Sequence, residues 1–320
     1  MTTDISIESD WNGIYLNGEW VASESGEELS VADPSTREEM ARVPRGVEAD
    51  VDAAYDVAVD AQAEWGQAPP AARSEVIQDA LAELEDHHEA VVELIATEGG
   101  GVRAVAETAI HLTEDQLGEA ATLPRRMKGE HSTSNVPGKE NVVQREPKGV
   151  VTVISPWNFP LNLSMRAVAP AIAAGNSVVL KPASNTPIVG GLLIAKLFEA
   201  AGLPDGVLNV VTGRGSDIGD RVASHPASDV VAFTGSTDVG RQVAANAAEN
   251  LAVPAMELGG NNVHLVTDEA DLDAAIDAAV FGTFVHQGQV CISINRHLVH
   301  EAVYDEYVER LVDRAESLPV

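Results

Sequence analysis

Cysteine occurs once in the 320 residues, at Cys291, inside Phe281-Gly-Thr-Phe-Val-His-Gln-Gly-Gln-Val-Cys-Ile292. A carboxylate precedes it in a second unusual stretch, Pro254-Ala-Met-Glu-Leu-Gly-Gly-Asn-Asn262, which places Glu257 beside a Gly-Gly pair. A thiolate can attack an electrophilic carbon, and a carboxylate can activate the water that hydrolyses the resulting covalent intermediate. A lone cysteine is also commonly a small buried hydrophobe. The Gln287-Gly288-Gln289 flank is a poor core strand, which favours a reactive thiol. His264 sits in a strand-like pattern and reads as structural, and His286 is read the same way. Nothing in this arrangement calls for a metal.

These residues need a scaffold, and the pattern from Gly149 onward supplies one. Apolar runs at 150–154, 177–180, 206–211, 229–233 and 253–257 read as strands. Helical patterns separate them at 161–174, 187–200, 216–223 and 237–249. Strands alternating with helices predict an α/β fold with a parallel sheet covered on both faces. A second α/β unit opens with strand 262–266, helix 271–281, strand 297–300 and helix 302–316. Upstream, Ile14-Tyr-Leu16 followed by Asn17-Gly18 predicts a tight hairpin. Helical spacing runs from Ala49 to Trp65, and one or two helices fill 71–97 after Pro69-Pro70. Gly99-Gly-Gly101 is a stop signal, and a further helix over 102–121 is expected to close at Pro124. Residues 125–146 are polar and read as an exposed excursion.

Parallel α/β sheets bind ligands at the carboxyl ends of their strands. Four loops fall there: Ser155-Pro156-Trp157-Asn158-Phe-Pro160, Lys181-Pro-Ala-Ser184, Thr212-Gly-Arg-Gly-Ser-Asp-Ile-Gly219 and Thr234-Gly235-Ser236. Gly213, Gly215 and Gly219 depart from the usual G-x-G-x-x-G spacing, so that loop alone is a weak nucleotide signal. Thr-Gly-Ser at the start of a helix can hold a pyrophosphate on free N–H groups, or can simply be a cap.

Pro156-Trp-Asn-Phe-Pro160, Phe233-Thr-Gly-Ser236, Glu257-Leu-Gly-Gly260 and Gly288-Gln-Val-Cys291, in this order along the chain, resemble the signature motifs of the aldehyde dehydrogenase superfamily. The resemblance implies a Rossmann-like cofactor domain, residues 1–124 and 147–257, an oligomerisation hairpin at 125–146, and the start of a catalytic domain at 258–320. It implies Cys291 as nucleophile, Glu257 as general base and Asn158 as an oxyanion donor. It further implies that NAD or NADP lies against Ser155, Pro156, Trp157, Lys181, Ser184, Gly215, Gly219, Phe233, Thr234, Gly235, Ser236, Val239 and Leu258. Ser184 stands where many NAD-preferring members carry Glu. A serine removes the repulsion of a 2′-phosphate, so NADP is expected to be accepted. Arg166, Asn261-Asn262 and the residues before Cys291 are similar to the branch acting on aromatic aldehydes such as benzaldehyde or vanillin. A CoA-acylating member is the alternative, although that branch usually lacks the Glu257 base. A nucleotide-binding piece without activity is the other.

Family members continue well beyond the position of Val320. The segment 258–320 is therefore expected to leave Ile276, Val280, Phe281, Val303, Val308 and Leu311 without cover, and the 320-residue chain to be a weak nucleotide binder with little activity. The full protein is expected to be a homo-oligomer.

The charge bounds the partners. Fifty acidic residues against twenty basic ones leave a net charge of −30, and only five of the twenty are lysine. Such a surface repels nucleic acid and anionic membranes. The acidic residues are dispersed over helices, which reads as a solvated face. Self-repulsion on this scale is tolerable when salt screens it, so the composition reads as adaptation to a high-salt cytoplasm. No apolar run is long enough to span a bilayer. One cysteine excludes an internal disulfide, and a reducing cytoplasm would keep its thiol usable.

Overall fold

The computed structural model describes residue 5 and residues 9–318. The chain divides into two compact units, the first ending at Glu257 and the second starting at Leu258.

The first unit begins with two hairpins. β1 (Ile14–Leu16) turns into β2 (Glu19–Val21) through Asn17-Gly18, and β3 (Glu28–Ala32) pairs antiparallel with β4 (Glu39–Pro44). Asn17 and Gly18 have φ of 53° and 78°, the left-handed pair that a two-residue turn requires. Four helices follow: α1 (Glu48–Trp65), α2 (Pro70–Asp86), α3 (His88–Gly99) and α4 (Arg103–Arg126). Pro70 starts α2, where its missing N–H costs nothing. Gly100 ends α3 with a left-handed φ of 66°.

The helix expected to close at Pro124 instead runs through it to Arg126. A proline in the last turn removes one backbone bond, and Met127 N–H still reaches Leu123 O at 3.2 Å. β5 (Glu130–Thr133) and β6 (Glu140–Val143) then form an antiparallel ribbon with every residue exposed.

From Gly149 the alternation appears as read. β7 (Val150–Ile154), α5 (Pro160–Ala173), β8 (Ser177–Lys181), α6 (Leu193–Ala200), β9 (Leu208–Val210), α7 (Gly215–Ala223), β10 (Val230–Thr234), α8 (Thr237–Glu249) and β11 (Val253–Glu257) follow one another. The strands order as β11-β10-β7-β8-β9-β1-β2. The first five are mutually parallel. The sheet is not wholly parallel, because the β1–β2 hairpin adds an antiparallel edge through Tyr15 opposite Val210. β7 and β8 are nearly all buried, as strands covered on both faces must be. α6 is preceded by a wider turn over Ile188–Leu192 with π-type bonding.

The second unit holds β12 (Asn262–Val266), α9 (Leu272–Phe284), β13 (Ile294–Val299) and α10 (Tyr304–Glu316). β12 and β13 pair in parallel. Val266, Ala275, Ile276, Ala279 and Tyr307 form its small core, with Val280, Val303 and Leu311 packed around it. This corrects the expectation that these last three and Ile276 lie uncovered. Phe281, 72% exposed, and Val308 do remain open, as does the sheet face carrying Val263, Leu265 and Leu298. His264 and His297 lie on the core side of that sheet, their rings 5.8 Å apart, and His297 Nδ1 is 2.7 Å from the Tyr307 hydroxyl.

Candidate active site

In the first unit, the candidate loops follow the carboxyl ends of adjacent strands. Ser155 N–H donates to Lys181 O at 3.2 Å, joining the loop after β7 to the end of β8. Ser155 is buried and its hydroxyl has no hydrogen-bond partner. Pro156 is half-buried, Trp157 exposed and Asn158 half-buried, the last three residues before α5 starts at Pro160 being Trp157, Asn158 and Phe159.

Lys181 is not a surface lysine. It is buried, its Nζ donates to Pro182 O at 3.0 Å, and burial pulls its pKa down to about 8. The loop it begins ends on Glu98, which the sequence did not single out. Glu98 is fully buried on α3, and its two carboxylate oxygens accept from Ile188 N–H at 2.8 Å and Val189 N–H at 2.7 Å. The Glu98 carboxyl group thus caps the wide turn that leads into α6. Between these anchors, Ser184 is partly exposed.

Gly215 starts α7, and space around the position of an added Cβ is open at both Gly215 and Gly219. Phe233 is buried at the end of β10, and its ring fills the place where a Gly235 side chain would go, 2.5 Å from the added Cβ. Thr234 pairs with Glu257 across β10 and β11, and Gly235 N–H donates to Glu257 O at 3.1 Å. Ser236 caps α8, its hydroxyl accepting from Val239 N–H at 3.4 Å. Val239 is exposed in the first turn of that helix. A partnerless buried hydroxyl at Ser155, open glycines and the start of a thirteen-residue helix suit an anionic nucleotide. The Glu257 carboxylate is exposed and faces Arg166 on α5.

In the second unit, Leu258 is half-buried and Cys291 is exposed on an irregular loop between α9 and β13. The exposed thiol is not a small buried core hydrophobe. Just before it, His286, Gln287 and Gly288 have φ of 51°, 53° and 73°. Three consecutive left-handed residues, two of them not glycine, are costly and belong to a shaped loop. His286 is buried there, and Ser293 Oγ donates to Gly288 O at 3.1 Å. Among the described residues no group of three or more His, Cys, Asp or Glu could hold a metal ion, and no helix is long and apolar enough to cross a membrane.

Comparison with known proteins agrees with the motifs. Over 306 residues, 95% of this chain, it is 47% identical to a vanillin dehydrogenase of Corynebacterium glutamicum. It is 36% identical over 94% of its length to an NADP-dependent D-glyceraldehyde dehydrogenase of Picrophilus torridus. The crystal structure of an NAD-dependent benzaldehyde dehydrogenase from Corynebacterium glutamicum superposes with a TM-score of 0.93 at 46% identity, covering 98% of this chain and 69% of that one. The chain spans 63% and 61% of the lengths of the first two relatives. Residues 20–320 match the aldehyde dehydrogenase family, and the chain belongs to it.

Proposed function

We propose that this chain carries the cofactor platform and the nucleophile for NAD(P)-dependent oxidation of an aldehyde, of the aromatic class, to its carboxylic acid. The observation that carries the reading is Cys291, exposed on a strained loop in a chain with no other thiol. Residues 1–124 and 147–257 form the nucleotide-binding part, and 258–320 belong to the catalytic part. Residues 125–146, whose two strands are exposed throughout, serve oligomerisation of the whole protein.

In this reading Cys291 attacks the aldehyde carbon as thiolate. Negative charge then develops on the substrate oxygen, and the Asn158 side-chain amide and the Cys291 N–H donate hydrogen bonds that stabilise it. Bound nicotinamide supplies the hydride acceptor. Cys291 is left as a thioester, and Glu257 takes a proton from the water that hydrolyses it. Lys181 and Ser184 hold the adenosine ribose side of NAD or NADP. Ser155, Pro156, Trp157, Gly215, Gly219, Phe233, Thr234, Gly235, Ser236, Val239 and Leu258 line the remainder. The single thiol supports a reducing cytoplasm as its place of work, and the acidic surface supports a salty one.

Rapid mixing of the full-length chain with benzaldehyde and either nucleotide tests this. A first-turnover burst of NAD(P)H should appear in the wild type, survive in Glu257→Gln with a slowed steady state, and vanish in Cys291→Ala. A burst that persists without Cys291 overturns the reading.

A further inference from the structure

The loop bearing Cys291 is held by a side chain that the reaction above does not use. Along β12 and β13, Asn262 opposes Ile294 but Val263 opposes Arg296, so Asn295 is an extra residue on β13. Such bulges bend a strand and re-aim side chains, often beside active sites. Asn262 stands at this one. Its Nδ2 donates to Cys291 O and to Ser293 O, each at 3.2 Å. Ser293 N–H in turn donates to Val290 O at 3.0 Å.

The Cys291 Cα joins two peptide planes. The Val290 carbonyl belongs to the plane that also carries the Cys291 N–H, and Ser293 holds it. The Cys291 carbonyl belongs to the following plane, and Asn262 holds that one. With both planes fixed, the directions of the Cys291 N–H and of its Cα–Cβ bond are fixed too. The backbone beside Asn262 is fitted to this contact. A Cβ added at Gly260 would lie 2.5 Å from Cys291 O, so only glycine permits the close approach.

We propose that Asn262 is a positioning residue for the nucleophile, its side-chain amide holding the peptide after Cys291 so that N–H and Sγ address the same carbonyl group. The proposal rests on Cys291 being the nucleophile. Asn262 is exposed rather than packed in the core, so its amide hydrogen bonds, not its bulk, are what the loop gains.

The test uses the full-length chain and 4-nitrophenyl acetate, which needs no nucleotide. The thiolate attacks the ester carbon, the carbon–oxygen bond to the aryl group breaks, and 4-nitrophenolate leaves an acetyl thioester on Cys291. The tetrahedral intermediate needs the Cys291 N–H as oxyanion donor. Alkylation by iodoacetamide needs the thiolate but no such donor. Asn262→Ala should keep a burst of one 4-nitrophenolate per chain while its rate constant falls by about tenfold or more. Iodoacetamide should still alkylate within about threefold of the wild-type rate. Asn262→Ser, which keeps one donor, should fall between, and it decides the matter if the alanine variant does not fold. An unchanged burst rate overturns the proposal. So does a reduced amplitude at unchanged rate, which marks a merely structural role. Absence of a burst in the wild type, or a burst in Cys291→Ala, overturns the nucleophile reading instead.

Discussion

Arg166 Nη2 lies 3.7 Å from Glu257 Oε2, the side chains being 44% and 66% exposed. A pair so open to water is worth at most about 1 kcal/mol, so it does not lock the carboxylate. It does bias where an otherwise free carboxylate points. In the reaction proposed here Glu257 acts only on the thioester. Arg166→Gln should therefore slow steady-state turnover by up to about fivefold and leave the NAD(P)H burst rate unchanged. Stopped-flow absorbance separates the two. A loss confined to the burst would place Arg166 with substrate binding rather than with Glu257.

Glu98 ties stability to pH. Desolvation drives its carboxyl from the ordinary 4.5 up to about 8, against the two N–H bonds from Val189 and Ile188 that favour the charged form. Between those values the folded chain holds a proton that the unfolded chain releases. The sign follows: this contribution is fully present below about pH 4.5 and is lost as the pH rises through 8. Glu98→Gln cannot titrate. The stability difference between wild type and Glu98→Gln should decline steadily from pH 4.5 to 8 and then level off. Denaturant melts across that range measure it, and a constant difference would show that Glu98 keeps its charge in the folded state.

Residues close in sequence were legible, and residues brought together from afar were not. Asn17-Gly18 announces its turn because both central residues must be left-handed. The five parallel strands announce themselves by short, mostly apolar runs separated by helical patterns. That β1 joins the sheet beside β9 was not legible, since it rests on Tyr15 meeting Val210. Pro124 misled because its cost depends on how much helix follows it, and only two helical residues do. The motif residues of the candidate site were legible as short contiguous patterns. Glu98 was not, because its N–H partners are ninety residues away. Nor was the contact of Asn262 with Cys291, 29 residues on. The sole signal for Glu98 was an acidic residue directly before three glycines at a helix end.

In the function proposed above, Lys181 and Ser184 set the nucleotide preference, and Lys181 gives it a pH dependence. Burial lowers the Lys181 pKa from 10.5 to about 8, so its charge is present below pH 8 and is lost above it. A 2′-phosphate needs that charge and a 2′-hydroxyl does not. NADP affinity should weaken as the pH rises through 8, while NAD affinity changes little. Lys181→Met should remove the dependence. Ser184→Glu should weaken NADP by at least about tenfold and NAD far less. Fluorescence titration of nucleotide binding reads all three. Equal responses of both nucleotides would show that the ribose lies elsewhere.

The left-handed run at His286, Gln287 and Gly288 makes a graded prediction. A left-handed conformation costs an ordinary residue about 1–2 kcal/mol, and a β-branched one more. Asparagine bears it better and glycine bears it freely. Gln287 is exposed, so its side chain contributes little packing to offset the cost. His286, by contrast, is buried. At position 287 the stability order should therefore be asparagine at or above glutamine, and glutamine above valine by about 1 kcal/mol or more. Gln287→Gly relieves the strain but frees the unfolded chain, and the two effects should nearly cancel. Because the turn sits three residues before Cys291, Gln287→Val should also alter iodoacetamide alkylation of the thiol, and Gln287→Asn should not. Melting curves and alkylation rates on the four proteins give the order. Valine tolerated as well as asparagine, in both measurements, would show that residue 287 is not left-handed in solution.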